Sequence, residues 1–232
     1  MGNFTAIAID GPAGAGKSTI ARRLAADLGY IYVDTGAMYR ALAYLFLQKG
    51  INPADEEAVS AAAAKADVSI AYRDGEQHVI LNGEDVSGSI RTEAVGNMAS
   101  ATSIYPKVRT KLVELQRKLA DEANVIMDGR DIGTVVLPQA QVKIYLTASS
   151  AVRAKRRYDE LVAKGQECDF AAIEQDIIDR DYRDMHREES PLRQAEDAIL
   201  LDSSGLNIDG VVARMREIIE NRHVPYREYN KE

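Results

Sequence analysis

The stretch IDGPAGAGKST, residues 9–19, constrains the fold of this chain more than any other feature of the sequence. Residues 11–18 fit the phosphate-binding pattern G-x-x-x-x-G-K-[ST], and they lie between an apolar run and apolar residues at helical spacing. Glycines let several backbone N–H groups face one anion, and the start of the following helix adds partial positive charge. The stretch therefore predicts a strand, a P-loop and a helix arranged around the phosphates of a nucleotide.

The residues of this loop are candidate nucleotide ligands. Lys17 can reach the β- and γ-phosphates, and the Ser18 hydroxyl can join a Mg²⁺ shell. We expect phosphate contacts from Gly11, Pro12, Ala13, Gly14, Ala15, Gly16, Lys17, Ser18 and Thr19. A dinucleotide-binding loop needs G-x-G-x-x-G, but the GAG at 14–16 is followed by Lys-Ser-Thr, so that alternative fails.

Composition narrows the class of protein. The length of 232 residues fits one well-packed α/β domain, and 46% hydrophobic with 28% charged residues is typical of a globular protein. The net charge of −7 argues against a protein that coats nucleic acid, because such binding depends on Lys and Arg. The single cysteine, Cys168, predicts a reduced compartment and no zinc site. With no signal-peptide pattern and no run of about 18 uncharged apolar residues, we expect a cytoplasmic protein without membrane contact.

Short apolar runs alternate with helical stretches along the chain, and this alternation predicts a parallel sheet covered by helices on both faces. The runs are 5–9, 30–34, 125–127, 142–146 and 199–201. The segment 66–90 breaks the pattern, since apolar and polar residues alternate around turn pairs at Asp74-Gly75 and Asn82-Gly83. We therefore expect a small antiparallel insert there, and a poorly ordered polar tail over 223–232.

A P-loop alone does not determine the reaction, because GTP switches, motor ATPases and small-molecule kinases all contain one. The Asn-Lys-x-Asp signature of a GTP switch is missing, since the one Asn-Lys pair, Asn230-Lys231, is followed by the last residue. After the apolar run 125–127 comes Asp128-Gly-Arg-Asp131, an arginine between carboxylates. This pattern favours a site for a second ligand with an anionic and a hydrogen-bonding part, although a plain polar turn has the same composition.

Three more segments follow the P-loop in order: DTGAMYRAL at 34–42, DGRDIGTVV at 128–136 and RDYRDMHREESPL at 180–192. Together with IDGPAGAGKST they resemble the bacterial cytidylate kinases, P-loop enzymes that phosphorylate CMP and dCMP with ATP. The similarity extends from about Phe4 to Glu220. It implies an α/β fold of the nucleoside monophosphate kinase type, a parallel sheet flanked by helices with a small antiparallel β insert and a short helical lid.

The resemblance also implies a division of residues 1–232 within a single kinase unit. The core is expected at 1–35, 103–150 and 190–223, the monophosphate-binding region at 36–102 with its antiparallel insert near 66–90, and the lid at 151–189. The basic cluster at 153–157 then forms part of a mobile lid over ATP, with Arg157 as the ATP-binding residue. A nucleic-acid patch is the alternative interpretation of that cluster, and the interleaved acidic residues argue against it.

Residue by residue, the resemblance implies two overlapping sets of functional side chains. The CMP-binding set is Thr35, Arg40, Ser100, Arg109, Asp128, Arg130, Asp131, Arg180, Asp184 and Arg187, and the catalytic set is Lys17, Arg130, Arg180 and Arg187. In the family the first two arginines, Arg40 and Arg130, hold the CMP phosphate, for which a guanidinium fork is suited. A carboxylate at Asp131 could accept from the cytosine amine and would repel uracil, which has a carbonyl there.

The segment 180–192 has two interpretations. Arg180, Asp184 and Arg187 are separated by four and three residues, so a helix would place them on one face. There the resemblance puts Asp184 on the ribose and the arginines near the transferring phosphate. A solvated helix with ion pairs along it shows the same spacing.

The resemblance finally implies the partners of the protein. They are ATP as co-substrate with Mg²⁺ and CMP or dCMP as acceptor, with no stable nucleic-acid partner, no membrane and a monomeric chain. Thr35 stands where many members have Ser, and because the hydroxyl remains we expect little change. A kinase for another monophosphate or small metabolite, and a nucleotide-binding regulatory protein, are the remaining alternatives.

Overall fold

The computed structural model describes residues 4–73 and 75–222. Asp74 of the first predicted turn, residues 1–3 and the segment 223–232 lie outside the described residues. In chain order the strands are β1 (Ala6–Asp10), β2 (Ile31–Asp34), β3 (Val68–Arg73), β4 (Glu76–Leu81), β5 (Glu84–Asp85), β6 (Val125–Gly129), β7 (Val142–Thr147) and β8 (Ile199–Asp202). The helices are α1 (Lys17–Leu28), α2 (Thr35–Gln48), α3 (Glu56–Lys65), α4 (Glu93–Thr102), α5 (Pro106–Glu122), α6 (Ser150–Ala163), α7 (Phe170–His186) and α8 (Ile208–Asn221), with a π-helical turn at Ile132–Val136.

In the described residues, five parallel strands form the central sheet in the order β2-β6-β1-β7-β8. Successive side chains of a strand point to opposite faces, and the core is divided accordingly. Ala8 packs on the face covered by α2, α4 and α5, whereas Ile7 and Ile9 pack on the face covered by α1 and α8. Both faces of the sheet are therefore buried, which confirms the predicted α/β class and explains the uninterrupted apolar runs.

The order of the strands places the P-loop and two of the candidate aspartates at one edge of the sheet. β1 lies in the middle, and the P-loop follows its carboxyl end directly. Asp34 ends β2 and Asp128 lies near the end of β6, and the two residues are aligned in the register of these strands. Because ligands of open α/β sheets bind outside the carboxyl ends of the strands, this edge is the expected position of the site.

The predicted antiparallel insert is confirmed as a separate sheet of β3, β4 and β5. Asn82 and Gly83 form its second turn with positive φ angles of 50° and 86°, as a tight hairpin turn requires. Val68, Val79 and Leu81 are buried in the same core cluster as α2. The insert is therefore anchored on the main domain by apolar packing.

The segment 151–189, the predicted lid, is mostly helical and contains α7 and all but the first residue of α6, and these two helices pack against each other. Helix α7 ends at His186, so Arg187 lies one residue beyond it in an extended conformation. The expectation that Arg180, Asp184 and Arg187 share one helical face therefore holds for the first two alone. Beyond the helix, Arg187 Nε donates to the carbonyl of Ser190 at 2.7 Å. The boundaries of core, insert region and lid stay a prediction.

No helix among the described residues is both long and apolar enough to cross a membrane. In the same residues there is no cluster of three or more His, Cys, Asp or Glu side chains that could hold a metal ion.

Gly11→Ala should destabilise the protein. A Cβ at Gly11 would lie 1.9 Å from the carbonyl oxygen of Leu146, and φ is +149°. Overpacking of this kind costs about 1–3 kcal/mol, which corresponds to a drop of roughly 3–10 °C in the melting temperature. Gly88→Ala is the matched control, because its Cβ would meet nothing within 4 Å. Equal melting temperatures of the two variants in calorimetry would contradict the prediction.

Candidate active site

A cleft of about 290 Å³ opens at the carboxyl edge of the sheet, between the P-loop, α2, α4, α5 and α7. The predicted site residues that line it are Ala13, Gly14, Lys17, Ser18, Thr35, Arg40, Ser100, Arg109, Asp128, Arg130, Asp131, Arg180, Asp184 and Arg187. The fold thus brings the predicted catalytic and CMP-binding residues into one cavity. Which ligand atom each of them contacts stays a prediction.

The backbone of the P-loop surrounds the side chain of Lys17. Gly14 and Gly16 have φ angles of 75° and 91°, a conformation that glycine adopts without strain. The buried Lys17 ammonium donates to the carbonyls of Gly11 and Pro12, both at 2.7 Å. Burial, reinforced by the nearby Arg130, lowers the pKa of Lys17 to about 7. A bound anion would favour the charged ammonium, since opposite charges stabilise each other.

Asp128, near the end of β6, contacts side chains from α1, β2 and α2. One carboxylate oxygen accepts from the Ser18 hydroxyl at 2.8 Å, and the other accepts from the Tyr32 hydroxyl at 2.9 Å. Its backbone carbonyl accepts from the Thr35 hydroxyl at 2.7 Å. Burial, together with the Asp34 carboxylate, raises the pKa of Asp128. The role of Tyr32 was not predicted, because a tyrosine in a strand gives no local signal beyond packing.

Arg130, Arg180 and Asp184 form a charged group opposite the P-loop lysine. Arg130 Nε donates to Asp184 at 2.8 Å. Burial opposes ionisation of Asp184, but the Arg130 guanidinium beside it lowers its pKa. Burial also lowers the pKa of Arg180, whose buried Nε has no hydrogen-bond partner in the described structure. This part of the cleft therefore carries excess positive charge.

Arg109 and Asp131 form a buried ion pair at the far end of the cleft. Arg109 also donates to the carbonyl of Ser103 at 3.2 Å and to the hydroxyl of Ser190 at 3.1 Å. Its guanidinium lies 5.6 Å from the centre of the Tyr39 ring. Ser190 and Tyr39 are functional candidates that sequence reasoning missed. A non-glycine φ of 49° at Ser190 marks it as unusual, but that angle is visible in the structure alone.

Arg40 enters the cleft from α2. Its Nη2 lies 3.0 Å from Asp34, whose other carboxylate oxygen accepts from the backbone N–H of Ala37 at 2.9 Å. Asp34 therefore both caps α2 and holds Arg40. Ser100 lines the same region from α4.

Arg157, the predicted ATP-binding arginine of the lid, pairs with Glu160 at 3.0 Å on the exposed side of α6. Arg157 does not line the cleft. Thr19, the last residue of the P-loop segment, is also exposed and outside the cleft lining. Two other arginines of the basic cluster contact the loop. Arg153 donates to the carbonyl of Ala13 at 3.0 Å, and Arg156 donates to the carbonyl of Ala15 at 3.4 Å.

Asp10, which precedes the P-loop, was also missed. Its two carboxylate oxygens accept from the backbone N–H groups of Ile132 and Gly133 at 2.8 and 2.7 Å. Burial raises the pKa of this carboxyl to about 6. Asp10 thus joins the start of the P-loop to the turn that follows Asp131. An acidic residue at the end of an apolar run, directly before the first glycine of the loop, is the sequence signal that could have identified it.

Comparison with known proteins agrees with this geometry. A family model described as "Cytidylate kinase" matches residues 7–221. The cytidylate kinase of Carboxydothermus hydrogenoformans is 51% identical over 217 residues, which cover 94% of this chain and 98% of the relative. That of Lactobacillus gasseri is 51% identical over 216 residues, 93% of this chain and 94% of the relative. That of Streptococcus pneumoniae is 48% identical over 217 residues, 93% of this chain and 97% of the relative. The chain therefore belongs to the cytidylate kinase family.

Proposed function

We propose that the protein transfers the γ-phosphoryl group of ATP to CMP or dCMP and produces ADP with CDP or dCDP. Membership of the cytidylate kinase family supports this function. The structural observation that carries it is one cleft in which a P-loop faces a cluster of arginines. Phosphoryl transfer needs two phosphates held in line in one site that excludes water, and such a cleft can hold both.

The charges of the cleft match the demands of the reaction. The transition state spreads negative charge over the equatorial oxygens of the transferring group, and fixed positive charges stabilise it. We assign this role to Lys17, Arg130, Arg180 and Arg187, with Arg40 and Arg130 on the acceptor phosphate. A strong base is unnecessary, because a monophosphate is already an anionic nucleophile.

The buried pair of Arg109 and Asp131 favours cytosine as the base. A carboxylate accepts from the exocyclic amine of cytosine, and a guanidinium donates to the acceptors of the ring. Both side chains are almost completely buried, so a base that presents a carbonyl to the Asp131 carboxylate would meet it with no water to separate the two acceptors. We place Ser100 beside the same ring, Asp184 on the ribose, and Thr35 and Asp128 at the acceptor side of the P-loop.

The donor site fits a magnesium ion that accompanies ATP. Mg²⁺ prefers oxygen ligands and is commonly bound by one or two protein side chains together with phosphates and waters. The Ser18 hydroxyl and the Asp128 carboxylate are such oxygen groups, and they lie 2.8 Å apart at the P-loop. We infer that these residues hold the ion, which supplies further neutralising charge at the phosphates when it is bound.

The family resemblance also supports the inference that different segments of the chain bind the acceptor and close over ATP. Residues 36–102 would bind the acceptor and 151–189 would close over ATP, around a core formed by 1–35, 103–150 and 190–223. The cleft is lined by residues of a single chain, so a monomer can contain the whole site. We infer a cytoplasmic monomer without a nucleic-acid partner, consistent with one cysteine and a net charge of −7.

An acceptor panel tests the function directly. ADP formation from MgATP would be followed with CMP, dCMP, UMP, AMP, GMP and small hydroxyl acceptors. Turnover should be fastest with CMP and dCMP. Slow ATP hydrolysis that CMP leaves unchanged would point to a nucleotide-binding regulatory protein, and faster turnover with another acceptor would identify a different kinase.

ATP binding should be accompanied by proton uptake at Lys17. With a pKa of about 7, the Lys17 side chain of the protein without ATP is largely a neutral amine near pH 8. The bound triphosphate favours the charged ammonium. Calorimetry at about pH 8 in buffers of different ionisation enthalpy should show uptake of up to about one proton, decreasing towards about pH 6 where Lys17 is already charged. Lys17→Met should abolish the uptake. A binding heat that is independent of the buffer would contradict the prediction.

Asp131→Asn should weaken discrimination against UMP. An amide can donate to the carbonyl of uracil where a carboxylate repels it, and one base contact is worth about 1–3 kcal/mol. The ratio of kcat/KM for CMP to that for UMP should fall by roughly 5- to 150-fold. Asp121→Asn, an exposed change on α5, is the control. An unchanged ratio in a folded variant would remove Asp131 from base recognition.

Asp184→Ala should reduce kcat/KM with CMP by about ten-fold or more, because a hydrogen bond to a charged group contributes about 1.5–3 kcal/mol. If the carboxylate binds the 2′-hydroxyl, the loss with dCMP should be smaller. The carboxylate also pairs with Arg130 at 2.8 Å, and loss of that pair would affect both acceptors alike. Equal losses of kcat/KM with CMP and dCMP would therefore show that Asp184 acts as a structural partner of Arg130 and not as a ligand of the 2′-hydroxyl. Asp179→Ala, an exposed position on α7, is the control.

A further inference from the structure

The antiparallel insert meets the central sheet at the free edge of β2. In the described part of the sheet β2 is an edge strand, and such a strand leaves backbone groups unpaired on its outer side. Side chains of the insert pair with these groups. The Tyr72 hydroxyl donates to the carbonyl of Tyr32 at 3.1 Å. The Gln77 amide accepts from the N–H of Asp34 at 2.8 Å and donates to its carbonyl at 3.2 Å.

Tyr72 and Gln77 act together, because they are direct partners in the register of β3 and β4. Their contacts with β2 are separate from the apolar packing that holds the insert. Val68, Val79 and Leu81 of the same two strands are buried against α2. Removal of the Gln77 side chain should therefore leave the insert folded and docked, with Asp34 less firmly held.

Asp34 connects this contact to the cleft. Its carboxylate caps α2 through the N–H of Ala37 and pairs with Arg40 at 3.0 Å. Arg40 lines the cleft, and its buried Nε has no hydrogen-bond partner in the described structure. The direction of the Arg40 guanidinium thus depends on where the backbone of Asp34 is held. On the side of β6 the strand pairing holds it, and on the outer side Gln77 accepts one hydrogen bond from it and donates another to it.

We propose that Gln77 is a positioning residue for the acceptor phosphate, because it fixes Asp34 and Asp34 orients Arg40. The proposal rests on the proposed function, which assigns Arg40 to the phosphate of CMP. Gln77 lies outside the residues that line the cleft, so it acts through Asp34. The insert would in this way control how well the acceptor phosphate is held.

Gln77→Ala tests the proposal through the separation of two Michaelis constants. Loss of two hydrogen bonds should raise the KM for CMP by about 10-fold, whereas the KM for ATP should stay close to that of the wild type and the melting temperature should fall by only about 2–8 °C. Glu76→Ala, an exposed neighbour on β4, is the matched control and should change neither constant. An unchanged KM for CMP, or an equal rise in both constants, would overturn the proposal.

A double-mutant cycle checks the route through Arg40. Arg40→Ala alone should raise the KM for CMP, and the addition of Gln77→Ala should then change it by less than about two-fold, because the two side chains act in one chain of contacts. Independent, multiplying effects would show that Gln77 does not act through Arg40.

A crystal structure of Gln77→Ala gives a readout that does not depend on the acceptor. Displacement of the pair formed by Asp34 and Arg40 is expected, and an unchanged pair would overturn the proposal whatever the acceptor is. Absence of CMP-dependent turnover by the wild-type protein in the same assays would instead overturn the proposed function, and the crystal structure would still decide on Gln77.

Discussion

The burial of positive charge around one cleft is the constraint on which the rest of the site depends. A guanidinium removed from water loses hydration that a counter-charge or hydrogen bonds must replace. Here each of three cleft arginines has an aspartate from another position: Arg40 pairs with Asp34, Arg109 pairs with Asp131, and Arg130 pairs with Asp184. The first pair joins α2 to the end of β2, and the other two join the turn after β6 to α5 and α7. The packing of these elements therefore also sets the positions of the site charges.

The same pairing leaves donor atoms available for a ligand. Among the described residues, Arg40 Nε, Arg180 Nε and Arg187 Nη2 are buried without a hydrogen-bond partner. Buried groups of this kind cost free energy unless another molecule completes their hydrogen bonds. We propose that an anion bound in the cleft completes them, since donors already in position lower the cost of reorganisation during phosphoryl transfer.

The P-loop side and the arginine side of the cleft are connected by hydrogen bonds to the backbone as well as by ion pairs. Asp10 joins the start of the P-loop to the turn after Asp131, and Arg153 joins the P-loop to Asp181 of α7 at 2.6 Å. Together with the contact of Gln77 and Asp34, these bonds connect the P-loop, the turn after β6, α7 and the insert around the cleft.

The sequence by itself determined the features that depend on neighbouring residues. The P-loop pattern, the alternation of strands and helices and the turn at Asn82-Gly83 are local, and the structure confirms the elements that they predict. The motifs at 9–19, 34–42 and 128–136 also identified residues that line the cleft, since each of them lies at the end of a parallel strand.

Only the tertiary structure decided which of these residues pair. Asp10 and Gly133 are separated by 123 positions, and Arg109 and Ser190 by 81, so no local periodicity relates them. The contact of Arg153 and Arg156, rather than Arg157, with the P-loop depends on which side of α6 faces the loop. Such contacts follow from the packing of whole elements, and that packing is set by the sum of many buried surfaces rather than by the residues adjacent to each side chain.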